Sequence, residues 1–250
     1  MTFVKLMERL GHERFVYQGG DWGSVIGRSM AILFPERLIG YHTNMPVGGM
    51  TGRYVTRVVA GSVAPDLFFD DGESETKLMY PMKVWFFRML RESGYMHLQS
   101  TKPDTLGPAL NNDPAGLAAY LMEKFSTWTD ESFKGRPDGG LTLRYTLDEL
   151  LTNVMIYWIN GNITSSMRLY KETFSTTDET SRQVVTVKTG IVVAENELFA
   201  RPASLLNESL TNLVHVSRVK QAGHFFAFEH PQLFAQDVKD FIGKVVIGES

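Results

Sequence analysis

Residues 14–34 constrain the fold most. Arg14-Phe15-Val16-Tyr17-Gln18 reads as a short buried strand, and Gly19-Gly20-Asp21-Trp22-Gly23-Ser24 as a cramped turn. Residues 25–34 then carry apolar side chains at helical spacing, ending before Pro35. Strand, tight turn and helix in immediate succession make an α/β unit. The glycines permit the bend, and Asp21 sits where such a turn lifts a side chain above the strand end. Two readings of Asp21 follow: a nucleophile on an elbow, or an ordinary helix N-cap.

The rest of the chain fits a sheet interrupted by helices. Residues 2–10 form a short helical pattern ending at Gly11, and 38–44 supply a second strand. Helical material dominates from there to about residue 175, in segments 77–94, 114–128 and 147–170, with 49–54 and the acidic run 70–75 as loops. Strand character returns at 182–190 and 213–219, and a last helix is expected over 231–245. The fold class is therefore α/β. Residues 1–50 and 176–250 form part of the core of such a fold, and 51–175 form a helical lid.

Composition removes whole function classes. The 250 residues carry a formal charge of −3, so no basic surplus recommends a nucleic acid. Cysteine is absent, which excludes thiolate nucleophiles, disulfides and cysteine-based metal sites. His12, His42, His97, His215 and His230 show no metal-ligand spacing, and Gly19-Gly20-Asp21-Trp22-Gly23 is not the dinucleotide-binding glycine pattern. No metal and no cofactor are expected. Neither a signal peptide nor a membrane-spanning run is visible, so the sequons at Asn162 and Asn207 read as chance.

Chemistry comes from residue order. An acid-bearing loop, Glu195-Asn196-Glu197-Leu198, follows the third strand, and Gly223-His224-Phe225-Phe226 follows the fourth. Asp21, a glutamate and His224 thus occur in the order nucleophile, acid, base. An aspartate that attacks carbon forms an ester. Hydrolysing that ester needs a water deprotonated by histidine, whose tautomer an acid fixes.

The runs Q18-GGDWGS-24, E92-SGYMHLQSTKPDT-105 and G223-HFFAFE-229, with A118-AY-120, E123-KFSTWT-129, L150-LTNVM-155 and Y157-W158, resemble microsomal and juvenile-hormone epoxide hydrolases, a branch of the α/β-hydrolases. The likeness spans nearly the whole chain. It implies a small lipophilic epoxide and water as substrates, Asp21 as nucleophile and His224 as general base. Glu197 falls on the orienting acid, with Glu195 as second choice. Tyr95 and Tyr170 fall on the donors to the epoxide oxygen, and the Trp22 backbone N–H on an oxyanion donor. A haloalkane dehalogenase shares the aspartyl ester and is the enzymatic alternative.

The resembling family also carries, ahead of the elbow, further core strands and an HGxP loop with a second oxyanion donor, so the match is to its C-terminal catalytic portion. This raises the expectation of an inactive fragment, or of a non-catalytic product that keeps a ligand pocket, since one lost oxyanion donor costs roughly 3–4 kcal/mol of transition-state stabilisation. Anchored relatives imply the endoplasmic reticulum membrane as location, with cytoplasm as the alternative. Oligomeric state is left open.

Overall fold

The computed structural model describes residues 2–49, 51–69, 76, 79–176 and 179–246. The acidic loop expected at 70–75 lies outside them. The chain divides into two compact units, Met1–Met82 with Glu179–Ser250, and Lys83–Asp178.

The first unit holds helix α1 (Thr2–Arg9), strand β1 (Phe15–Gln18), helix α2 (Trp22–Leu33), strand β2 (Leu38–Thr43) and helix α3 (Gly52–Gly61). After the second unit come β3 (Thr189–Ala194), α10 (Ala203–Leu206), β4 (Leu213–Val219), α11 (Phe226–Glu229) and α12 (Pro231–Val246). The four strands form one parallel sheet in the order β1-β2-β3-β4. Tyr41, Ile191, Val193, Met30 and Leu206 belong to one core cluster, and Val192, Ala194, Ala222 and Phe226 to another. Alternate residues of β3 thus feed separate cores, as strand geometry requires.

β3 lies further along the chain than the sequence pattern indicates. The strand expected at 182–190 begins at Thr189, because Thr-Gly-Ile-Val-Val-Ala is buried at every position whereas Arg182, Gln183, Val184 and Thr186 are exposed. A continuous apolar run is what a parallel strand covered on both faces needs. The alternating segment before it contributes one isolated bridge, Val185 to Leu210.

The second unit is helical: α4 (Met82–Glu92, its first residue belonging to the first unit), α5 (Gly94–Thr101), α6 (Pro103–Asn112), α7 (Pro114–Thr127), α8 (Leu147–Asn160) and α9 (Ile163–Phe174). A capping box starts α8, Thr146 accepting from the Glu149 N–H at 3.2 Å while Glu149 accepts from the Thr146 N–H at 2.8 Å. Gly161, at φ 57°, ends it and splits the expected 147–170 helix in two. Leu110, Leu117, Val154, Ile163 and Met167 form this unit's main buried cluster.

The expected endoplasmic reticulum membrane location is overturned. Among the described residues no helix is long and apolar enough to cross a membrane. The longest, α12, has 16 residues, against the ~20 that a hydrocarbon core requires.

Candidate active site

The turn between β1 and α2 is strained at one residue. Asp21 has φ 47° and ψ −126°, a conformation that non-glycine residues rarely occupy and that functional sites do. It stands at the N-cap position but makes no side-chain capping bond to α2. The N–H of Trp22, the first residue of α2, favours the charged form of its carboxylate. Gly19 permits the bend: a Cβ there would lie 2.5 Å from the Gly23 carbonyl oxygen, which accepts from the Tyr17 hydroxyl at 2.7 Å. Gly27 lets α2 settle, since a Cβ would meet the Tyr17 ring at 2.3 Å.

The acid and base loops are brought side by side by hydrogen bonds that continue the β3–β4 pairing. The Glu195 N–H donates to Val219 O at 3.0 Å, and the Asn196 N–H to Ala222 O at 2.9 Å. The chain then turns, the Glu197 N–H donating to Ala194 O at 3.1 Å. That turn separates the two candidate acids. Glu197, 1% exposed, lies with Oε2 2.8 Å from His224 Nδ1 and accepts from the Phe199 N–H at 3.0 Å. Glu195 is exposed and accepts from the Gln221 N–H at 3.0 Å.

His224 is buried, and its Nε2 stands 3.9 Å from Asp21 Oδ1, too long for a direct hydrogen bond. Burial pushes its pKa down, but the charge and hydrogen bond of Glu197, then the charges of Asp21 and Glu229, outweigh this and lift it to about 9. Asp21 is half-exposed on its side chain. Partial withdrawal from water raises its carboxyl above the ordinary aspartate range, against the pull of His224 and the Trp22 N–H.

The two tyrosines lie together in the helical unit. Tyr95 on α5 and Tyr170 on α9 meet edge to face with ring centroids 5.7 Å apart. Trp128 packs on Tyr95 at 5.3 Å, and Lys124 Nζ lies 5.1 Å from the Tyr95 ring centroid.

Sequence reasoning missed one cluster. His42 Nε2 and His215 Nε2 each lie 2.9 Å from a different oxygen of Asp237, and Ser217 donates to the same carboxylate. The signal is invisible along the chain because the residues are up to 195 positions apart. Ligand-capable atoms of His42, His215 and Asp237 lie within 4.8 Å of one another, a spacing that could hold a cation. Lys244 Nζ, however, lies 2.9 Å from His215 Nδ1, a cation where a metal-bound imidazole normally gives its second N–H to an acceptor. Ser217 donates to Asp237 and not to a histidine, so the group presents no activated nucleophile. It is a buried polar network that ties α12 to β2 and β4.

A parallel sheet with an acid at a strained strand-to-helix turn, and with an acid–histidine pair on the loops after β3 and β4, defines an α/β-hydrolase core. No family model matches the chain. Over 244 residues it is 45% identical to epoxide hydrolase 1 of Sus scrofa, the match spanning 96% of this chain and 53% of that protein. Over 247 residues it is 42% identical to the juvenile hormone epoxide hydrolase of Bombyx mori, spanning 98% and 53%. The crystal structure of the Bombyx mori juvenile hormone epoxide hydrolase is similar with a TM-score of 0.94 at 40% identity, covering 99% of this chain and 58% of that one. The chain belongs to the microsomal and juvenile-hormone epoxide hydrolase family. It spans about half the length of the curated relatives it matches.

Proposed function

We propose that this chain carries the reacting groups of an epoxide hydrolase, which turns a small lipophilic epoxide and water into a vicinal diol through an ester on Asp21. The observation that carries the reading is the Asp21 elbow at φ 47°, with its carboxylate 3.9 Å from a histidine whose other nitrogen meets a buried glutamate at 2.8 Å. A carboxylate held this way has no evident structural task.

In the first step an Asp21 oxygen attacks an oxirane carbon, a C–O bond forms, and the ring C–O bond breaks with its electrons moving to oxygen. Tyr95 and Tyr170 are assigned as donors to that oxygen, one of them giving up the proton that makes it a hydroxyl. A phenol suits the task because it stays protonated at neutral pH and still donates strongly. The contact between their rings supports the assignment, since neighbouring phenols can share one acceptor.

In the second step His224 takes a proton from water, whose oxygen adds to the ester carbonyl carbon. Negative charge then builds on an Asp21 oxygen. The Trp22 N–H is assigned as a donor to the oxyanion, and its lowering effect on the Asp21 carboxyl supports the assignment. Collapse expels the ester oxygen as an alkoxide, which takes the proton of the added hydroxyl, so that the diol departs and the carboxylate is restored; the proton held by His224 then returns, through solvent, to the tyrosinate left by the first step. Glu197 holds the His224 ring and balances its charge.

The test is diol formation from a panel of lipophilic epoxides by the full 250-residue chain. The unmodified chain is expected to release diol and Asp21→Asn at least ~10³-fold less. A folded chain that makes no diol overturns the reading.

A further inference from the structure

Three carboxylates grip the loop that carries His224. Glu195 accepts from the Gln221 N–H at 3.0 Å, Glu229 from the Gly223 N–H at 2.7 Å, and Glu197 faces His224 Nδ1 at 2.8 Å. The first is a surface contact, and the third is the acid already assigned. Glu229 is different: it is 8% exposed, stands at the end of α11, and bonds back across its own four-residue helix to the peptide just before the histidine. A buried carboxylate is costly where a neutral oxygen would serve the Gly223 N–H. The charge itself therefore calls for a use.

We propose that Glu229 is a positioning residue for His224, holding the Gly223–His224 peptide so that Nε2 stays beside Asp21 and adding a second buried negative charge in favour of the imidazolium. The proposal rests on the reading of His224 as the base. Charge-assisted hydrogen bonds of this length are short and stiff. Releasing the Gly223 N–H would let the peptide rock and carry the imidazole with it. Three carboxylates act on the ring: Glu197 from the loop after β3, Asp21 from the elbow and Glu229 from α11, while the Phe225 ring meets it edge-on at 5.1 Å. Glu229 is the one whose contact is with the backbone and not with the ring or the reacting centre.

The test uses the full chain without substrate and follows the His224 imidazole by proton NMR across pH, its signal assigned by its loss in His224→Gln. Glu229→Gln keeps an oxygen for the Gly223 N–H and removes only the charge. It is expected to lower the His224 titration midpoint by about 0.5–1 pH unit. An unchanged midpoint overturns the electrostatic half of the proposal. Glu229→Ala removes the acceptor as well, and amide exchange at Gly223 is expected to accelerate by about tenfold or more over Glu229→Gln. Equal exchange in the two variants overturns the grip. If Glu229→Ala does not fold, Glu229→Asp, which keeps the charge on a side chain one methylene shorter and so draws the acceptor back from the Gly223 N–H, is compared with Glu229→Gln at the same amide. Faster exchange in Glu229→Asp is expected, and equal exchange overturns the grip. Absence of diol formation would sink the catalytic reading and leave both measurements decisive for the Glu229–His224 pairing.

Discussion

Asp21 and His224 hold each other in the charged state. Burial lifts the Asp21 carboxyl and His224 opposes the lift, while burial presses His224 down and Glu197, with help from Asp21, brings it to about 9. At neutral pH a histidine lifted to about 9 rests as imidazolium; in the proposed reaction this favours Asp21 as the attacking carboxylate but not the water step, where His224 must be neutral. Esterification resolves the conflict because it removes the Asp21 charge and with it one support for the imidazolium. The expected consequence is a pH split between steps. Rapid-quench mass spectrometry should find the alkylated chain accumulating at about pH 6, and its breakdown should quicken as pH rises towards about 9. Equal breakdown at both values would remove His224 as the base. Glu197→Gln should slow ester breakdown by about 10²–10³-fold, and Glu195→Gln by less than about fivefold, read as diol release in single turnover. The stability sign follows as well. A histidine raised from 6.5 to about 9 contributes stability fully present below pH 6.5 and lost as pH passes through about 9. The order of Asp21, the acid loop and His224 is legible in the sequence, because elbow glycines and strand-end loops leave local marks. Residue spacing leaves Glu195 and Glu197 open although the family resemblance falls on Glu197, because what sets them apart is the turn closed by the Glu197 N–H on Ala194 O.

α12 is held to the sheet at two levels of its own length. Asp237 bonds His42 of β2 together with His215 and Ser217 of β4, and Lys244, about two turns further on, bonds the other nitrogen of His215. The Lys244 ammonium can only donate, so His215 Nδ1 is the acceptor and its Nε2 carries the proton given to Asp237. Burial works to raise the Asp237 carboxyl, but bonds from His42, Ser217 and His215 outweigh it and hold the group down at about 2. Stability from this depression is present above the unfolded value of 3.8 and is lost as pH falls through about 2. Asp237→Ala leaves buried donors without their acceptor. It should cost about 3–5 kcal/mol in urea unfolding at neutral pH and weaken the pH dependence of stability between about 4 and 2. A loss below about 1 kcal/mol would mean that α12 is held by Phe241 and Val245 alone, both fully buried. Periodicity locates α12, β2 and β4 to within a residue or two. It misplaces β3, because an alternating pattern at 182–188 resembles a half-buried strand more than the uniformly apolar Thr189–Ala194 does.

Each compact unit has a buried cluster of its own, and this is the scale at which sequence reading is weakest, since clusters assemble residues far apart in the chain. In the sheet unit Phe69 and Met79 pack with Leu205, joining the segment before the helical insertion to one well after it. In the helical unit Met167 of α9 is fully buried among Leu110, Leu117, Val154 and Ile163, drawn from α6, α7, α8 and α9. An apolar cluster built from four helices resists opening as a block, because exposing one member leaves a void that the other three cannot fill. Met167→Ala should therefore remove about 2–5 kcal/mol from this cluster. Where opening is unit by unit, hydrogen exchange followed by mass spectrometry will show peptides of α6, α7 and α9 losing protection while β3 and β4 keep theirs. Equal loss in β3 would mean that the chain opens as a single block. With unit-wise opening, Met167→Ala loosens the Tyr95–Tyr170 contact within the helical unit while the Glu197–His224 pair of the sheet unit stays closed; under the proposed reaction, ester formation is then expected to slow while the breakdown of preformed ester keeps its unmodified pH dependence.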